Sequence, residues 1–451
     1  VPGLALPGDP EEQSEDCLTA NVWTPDPPDR GPGPGRPVMV FIHGGGFTTG
    51  NGGSLLYRGS GLARTGGVVV VTGNYRLGAL GWMAHPALDE PGRPAGNWGL
   101  QDQLALLAWV RDNIAAFGGD PGKVTVFGES AGAMSVCALL AAPGAGGLFH
   151  RAAVQSGPGY CHTRERGARA AEDLVAVLGL ARADRAVLER VPAPDLVAAT
   201  AELGRRPPGP GELPLPFLPV VDGTLLPQAP LAAAAAGNTA PVPLLIGTNR
   251  DELTLFALGD PALAAVDDQG LARWLARSAP GLDTGPAVAR YTKVREARDE
   301  PVGPRDLWVA MGSDLVFRWP SLQFAAAHAR HHPATFAYLF TQTTPAFGGL
   351  LGSPHGLEIP FVFGGLHREL VGTFAGDSPE ARALSARMQA HWLAFARSGD
   401  PGLDDDPWPA FDAVRRRTMV FGPDGGAAEA PRDEELSVWA ELAPLQGPPL
   451  T

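Results

Sequence analysis

Val124-Thr125-Val126-Phe127-Gly128-Glu129-Ser130-Ala131-Gly132-Ala133-Met134-Ser135-Val136 is the stretch around which the rest of the chain is organised. Val124 to Phe127 is a short β-branched and aromatic run and reads as a buried strand. Ala133 to Leu140 is small and apolar, free of Gly and Pro, and reads as a helix. Between them lies the pattern G-x-S-x-G. A serine that presents Oγ at the tip of so sharp a turn takes a strained backbone conformation. The residues two positions to either side must then be small, or strand and helix collide. Gly128 and Gly132 meet that need. The helix N-terminus also brings backbone N–H groups to where negative charge can develop on a substrate oxygen. A glycine-rich turn with an incidental serine would show the same five residues. The strand before and the helix after favour a nucleophile.

Outward from this turn, continuous apolar runs at Val38 to Ile42, Val68 to Thr72, Ala152 to Gln155, Pro243 to Gly247 and Thr335 to Phe340 read as buried strands, with a further strand at Leu18 to Trp23. Helices are expected over Gln101 to Phe117, Ala168 to Ala201, Leu271 to Ala289 and Asp306 to His331. Another opens with Ser378 as N-cap and Pro379 at its first position, and Gly399 closes it. Val1 to Gln13, Pro25 to Pro37 and Gly348 to Gly364 read as loops. Strands alternating with helices predict an α/β fold, a mostly parallel sheet covered on both faces.

The 451 residues, 44% of them hydrophobic, suffice for a large core, and no linker is long enough to demand separate domains. The net charge of −13 comes from dispersed acidic residues, which disfavours nucleic acid and anionic membrane surfaces as partners. No apolar run is long enough to span a membrane, and no signal-peptide pattern follows Val1. Cys17, Cys137 and Cys161 show neither a disulfide framework nor metal-ligand spacing. A cytoplasmic location is therefore expected, with secretion left open.

A serine hydroxyl needs a base, usually His, oriented by a carboxylate. In the order nucleophile, acid, base, seven of the ten histidines remain once His43, His85 and His150, which precede or crowd the turn, are set aside. His331 and His332 stand at a helix end, and His328 and His391 on helices. His355 lies in the Gly- and Pro-flanked loop Gly352-Ser-Pro-His355-Gly, the kind of segment that carries function on a rigid scaffold. Glu252 follows the strand ending at Gly247, at the carboxyl edge where sites collect in open α/β sheets. A loop histidine capping backbone groups and a charge at a helix N-terminus fit these spacings as well. His43-Gly44-Gly45-Gly46, directly after a strand, fits a backbone-donor loop for an oxyanion, since glycines let N–H groups approach a substrate oxygen.

These residues, with Ser14-Glu-Asp-Cys-Leu18, Asn21-Val-Trp-Thr-Pro25, Asn74-Tyr-Arg76, Gly96-Asn97-Trp-Gly-Leu100, Phe117-Gly-Gly-Asp-Pro121, Gln155-Ser156-Gly157, Pro219-Val-Val-Asp-Gly223, Gly247-Thr-Asn-Arg-Asp-Glu252, Glu358-Ile-Pro-Phe361 and Trp408-Pro409, resemble the type-B carboxylesterases. That family includes bacterial para-nitrobenzyl esterases, mammalian carboxylesterases and cholinesterases. The resemblance spans nearly the whole chain. It implies an α/β-hydrolase fold as one domain, with mostly helical cap segments near 160–235 and 260–330. It implies hydrolysis of small uncharged carboxylic esters without metal or organic cofactor. The oligomeric state is left open, a monomer being favoured. Ser130 would be the nucleophile, His355 the base and Glu252 the third member. Gly45, Gly46 and Ala131 would donate to the oxyanion. Glu129 would be a buried acid near the site. Leu215 and Phe217 match the acyl-pocket segment, Leu255 and Phe256 match positions lining the site, and Arg76 with Asp102 resembles a structural ion pair.

The same triad would serve an amidase or thioesterase. Non-catalytic adhesion proteins also use the fold, but they typically lose the serine that this chain keeps. Two substitutions depart from the family pattern. Leu253 stands where Gly usually follows the acid, and Leu255 replaces an aromatic common in cholinesterases, so choline esters are not the expected substrates. Relatives usually carry a further segment ahead of Glu15-Asp16-Cys17, with a small sheet, part of the gorge rim and the expected partners of Glu15 and Cys17.

Overall fold

Alternate residues of the buried runs face opposite ways. In β2 (Arg36–Ile42), Val38, Val40 and Ile42 pack into one apolar core, and Met39 and Phe41 into another. In β3 (Val69–Gly73), Val69 and Val71 join the first core and Val70 the second. This is the period of two expected of a strand, with both faces apolar because both are covered. A computed structural model describes residues 13–25, 35–207, 209–258, 265–423 and 425–440. The loops expected at Val1 to Gln13 and Pro25 to Pro37 lie largely outside the described residues.

The strands, with β1 (Ala20–Trp23), β4 (Gly119–Glu129), β5 (Arg151–Gln155), β6 (Leu244–Asn249), β7 (Thr335–Phe340), β8 (Arg417–Phe421) and β9 (Ala427–Glu429), form one sheet in the order β1-β3-β2-β4-β5-β6-β7-β8-β9. The two outermost pairings are antiparallel and every pairing between them is parallel. On one face lie the helices Trp98–Asn113, Ala131–Ala141 and Trp319–Ala329; on the other lies Pro379–Ser398. Ser378 caps that last helix by accepting from the Ala381 N–H at 3.2 Å, and Gly399 ends it at φ 84°. The helices Asp268–Ser278, Thr284–Glu296, Pro304–Ser313 and Asp433–Ala440 share a separate core built on Leu275, Tyr291, Met311 and Trp439. Arg76 grips Asp102 with both Nε and a terminal nitrogen at 2.8 Å, as the expected ion pair.

Four expected elements differ. Ala168 to Ala201 is not one helix but Arg164–Val177 and Ala193–Gly204 with the short helix Arg185–Leu188 in the connection between them, because Gly179 takes φ 68° and Pro192 starts the last. Leu271 to Ala289 breaks at Pro280-Gly281 into Asp268–Ser278 and Thr284–Glu296. Asp306 to His331 contains a π-helical turn at Asp314–Arg318. Pro320 lacks the N–H that would reach back to Val316 O, and the Tyr160 hydroxyl donates to that carbonyl instead at 2.9 Å. The loop read at Gly348 to Gly364 contains a helical turn, Ile359–Phe363, with Pro360 near its start and Gly364 at φ 67° after it.

Ser130 follows β4, Glu252 follows β6 and His355 follows β7, so all three come to the carboxyl edge of the parallel strands. The turn at Ser130 depends on close backbone approach. A Cβ on Gly132 would lie 1.9 Å from Ile42 O, and one on Gly128 would lie 2.5 Å from the Gly132 carbonyl carbon. Gly132→Ala is therefore expected to destabilise the protein by at least about 1–3 kcal/mol through overpacking. Chemical denaturation would read this as a lowered midpoint; an unchanged midpoint would contradict the close approach.

Candidate active site

From Val124 to Ala142 every residue is buried except Ser130. Its backbone has φ 57° and ψ −124°, a conformation that costs a non-glycine residue about 1–3 kcal/mol. Two hydrogen bonds hold it: Ser130 N–H donates to Gln155 O at 2.9 Å, and Ser130 O accepts from Met134 N–H at 3.0 Å. The result is one polar side chain lifted out of an otherwise closed strand and helix. Ala131 opens the helix, so its N–H has no intrahelical acceptor.

The glycine loop after β2 lies against this turn. A Cβ on Gly44 would sit 2.9 Å from Ser130 Cβ. Gly45 O accepts from Thr48 N–H at 3.1 Å, Thr49 N–H at 3.0 Å and Thr49 Oγ1 at 3.0 Å. Since the peptide is trans, clamping that carbonyl turns the Gly46 N–H the opposite way. Among the described residues, neither the Gly45 nor the Gly46 N–H finds an acceptor. His43 braces the loop. Burial lowers its pKa to about 4, against a smaller opposing effect of its bond to Gly44, so the ring is neutral. Gly44 O can only accept, so Nδ1 carries the proton and donates to it at 2.8 Å. Tyr75 stacks on the ring at 4.4 Å, and its hydroxyl donates to His43 O at 2.8 Å.

His355 Nδ1 meets Glu252 Oε2 at 2.6 Å, and Glu252 Oε1 accepts the Asn249 N–H at 2.7 Å. Glu252 is fully buried and His355 is 6% exposed. On its other side, His355 Nε2 lies 3.1 Å from Glu129 Oε1, without hydrogen-bond geometry. A hydrogen bond from Ser130 Oγ to Nε2 is not formed in this arrangement. Burial opposes charge on the imidazole, but Glu129 and Glu252 outweigh it and push its pKa up to about 9. Burial pushes Glu129 up to about 8, against the pull of His355 and with help from Glu358 and Glu252. The two groups titrate together: a proton taken by Glu129 removes the negative charge that favours one on His355.

Around this centre, Leu215 Cδ2 lies 3.1 Å from where a Cβ of Gly46 would stand, so Leu215 borders the glycine loop. Phe217 is 1% exposed and packs into the large core, one layer further in. Leu255 and Phe256 are half-buried on the short helix Leu253–Phe256, and the Phe256 ring lies 5.1 Å from His355. Leu253 points away and fills the space beside Gly312. Phe317, from the π-helical turn, lies 4.9 Å from His355 on a helix whose sequence gave no sign of it. Asn249 and Glu358 were also not singled out for a role. Their signal was spacing alone: Asn249 stands three residues before the acid and Glu358 three after the base. Among the described residues, no group of three or more His, Cys, Asp or Glu could hold a metal ion.

The carboxylesterase family model matches residues 4–439. The chain belongs to the carboxylesterase family. It is 37% identical to a para-nitrobenzyl esterase of Bacillus subtilis over 96% of this chain and 84% of that protein. It is 36% identical to a liver carboxylesterase of Sus scrofa over 96% of this chain and 77% of that protein. A carboxylesterase structure from Geobacillus stearothermophilus superposes with a TM-score of 0.84 at 36% identity, covering 95% of this chain and 86% of that one. The fold is thus the α/β-hydrolase fold, and this carboxylesterase is a carboxylic ester hydrolase. Catalysis through a serine acyl-enzyme is the general property of its family. Among the described residues, no helix is long and apolar enough to cross a membrane.

A general base must be neutral to accept a proton, so with His355 as the expected base the acid limb of kcat/KM follows its pKa. Glu129 raises that pKa, and Glu129→Gln removes the charge. The acid limb is therefore expected to move to lower pH by about one to three units. A pH–rate profile unchanged in Glu129→Gln would show that this carboxyl does not act on the base.

Proposed function

We propose that Ser130, His355 and Glu252 form the catalytic triad of this carboxylesterase, with Gly45, Gly46 and Ala131 as oxyanion donors and small uncharged carboxylic esters as substrates. The observation that carries the reading is the buried 2.6 Å contact of His355 with Glu252 beside the one half-exposed, positive-φ residue of the turn, Ser130. Ser130 Oγ attacks the ester carbonyl carbon as His355 Nε2 takes its proton. The carbonyl oxygen becomes an oxyanion facing the three backbone N–H groups. His355 returns the proton to the leaving alcohol, which departs and leaves the acyl-enzyme. Water then attacks the acyl carbon, gives its proton to Nε2, and the acid is released as Ser130 Oγ is reprotonated. Glu252 holds the imidazole with Nδ1 protonated and stabilises the imidazolium between these steps. The relay needs Nε2 to face Ser130 rather than Glu129.

Leu215 beside Gly46 borders the acyl side, with Phe217 as its packed support, and Leu255 and Phe256 flank the base. Neither face offers a charged group to a substrate, which suits uncharged esters. The same reading takes the chain as one unit, with the helical segments near 160–235 and 260–330 as its cap. It takes the cytoplasm as the enzyme's location, where the buried free cysteines Cys137 and Cys161 stay reduced.

Members of a triad act as a unit, so their losses do not multiply. Ser130→Ala with His355→Ala is expected to be hardly slower on a para-nitrophenyl ester than either single variant; multiplied losses would mean that His355 does not serve Ser130. On the acyl side, an apolar pocket distinguishes one methylene by about 1–3 kcal/mol. Leu215→Phe should lower kcat/KM for butyryl relative to acetyl esters by about tenfold or more on that scale. An unaltered acyl profile would place Leu215 outside the pocket.

A further inference from the structure

Asn249 is the last residue of β6 and is 1% exposed. Its backbone N–H donates to Glu252 Oε1 at 2.7 Å. Its side-chain Nδ2 donates to Pro354 O at 2.7 Å, the carbonyl directly before His355, and to Glu358 Oε2 at 2.7 Å. Glu358 Oε1 accepts from Gln155 Nε2 at 3.1 Å, and Gln155 O accepts the Ser130 N–H at 2.9 Å. The amide orientation is fixed by its surroundings: a carbonyl and a carboxylate oxygen both call for a donor, and only the NH2 end supplies two protons. One buried residue is thus joined to Glu252 by its main chain, to the carbonyl before His355 by one side-chain proton, and through the other, by way of Glu358 and Gln155 of β5, to the strand that accepts the Ser130 N–H.

We propose that Asn249 is a positioning residue that sets Glu252, His355 and Ser130 in register with one another, a role that rests on the triad assignment above. The two loops are also tied elsewhere. Asp251 N–H donates to Ser353 O at 2.9 Å, Ser353 N–H to Asp251 Oδ2 at 2.8 Å, and Thr254 Oγ1 to Leu351 O at 2.7 Å. Those bonds keep the loops together when the Asn249 side chain is removed. What is lost is the tether adjoining the imidazole, where a displacement acts directly on the reacting geometry.

Two variants test this on the full chain with a para-nitrophenyl ester. Asn249→Ala should stay folded but melt below wild type, because the buried Glu358 Oε2 loses its donor, and should keep KM, while kcat falls by up to about a hundredfold, as expected for a small misplacement of reacting groups. Asn249→Asp keeps the shape but turns an oxygen toward two acceptors. The new carboxyl would face Glu252 and Glu358, with Glu129, His355 and the Tyr338 phenol near them, while Arg250 and Asp251 pair with each other at 2.7 Å. Its protonated form can donate one hydrogen bond, so the ratio of its kcat to that of wild type should rise as pH is lowered. Wild-type kcat in Asn249→Ala, or a pH-independent ratio in Asn249→Asp, would overturn the proposal alone. Should the Ala variant fail to fold, the pH dependence of the Asp variant decides. Retention of turnover in Ser130→Ala would overturn the triad assignment itself and the proposal with it.

Discussion

The contact between His355 Nδ1 and Glu252 Oε2, 2.6 Å long and closed to solvent, is the interaction on which the site depends. A carboxylate buried without partners would be costly enough to take up a proton, and it would then hold no imidazolium. Both oxygens of Glu252 have partners, one the ring and one the Asn249 N–H. The geometry comes from the sheet. β6 and β7 pair in parallel with Asn249 opposite Phe340, so the loops that follow them leave the same edge side by side. Parallel pairing, which the helices on both faces make possible, thereby sets the distance between acid and base.

The turn at Ser130 depends on a different constraint. Ser130 holds a backbone conformation that would not persist in isolation, and it does so because its surroundings leave no alternative. β5 accepts its N–H, the following helix takes its carbonyl, and Gly128 and Gly132 allow contacts that a methyl group would forbid. The glycine loop of β2 is built by the same means, with Gly45 O clamped by the Thr48-Thr49 turn and His43 kept neutral by burial. Strain at the nucleophile and order in the donor loop both rest on the packed centre of the sheet. That arrangement suits catalysis by preorganised dipoles, which need no rearrangement as charge develops.

Much of this was legible in the residues. Continuous apolar runs gave the central strands to within one or two residues for most of them, and G-x-S-x-G with His43-Gly44-Gly45-Gly46 pointed to the turn and to the loop packed against it. His355 and Glu252, whose side chains meet in the structure, were candidates by chain order and by their place after strands, and the resemblance then singled them out. Helix ends were less legible, because Gly179, Pro280-Gly281 and Pro320 break runs whose apolar content is continuous. Phe317, Asn249 and Glu358 stayed unseen for a physical reason. Each acts through a contact made across the fold, and a buried Asn or Phe has no local pattern that separates a role at the site from ordinary packing.

The central claim is that the ester's acyl group passes through Ser130. The most direct measurement is rapid acid quench of the enzyme during turnover of a slowly deacylating ester, followed by mass analysis of the peptide containing residues 124–142. The account predicts that this peptide gains the mass of the acyl group at Ser130 during turnover and loses it once substrate is exhausted. An acyl group found on another residue, or full product formation with no adduct at any time under conditions where deacylation limits the rate, would contradict it.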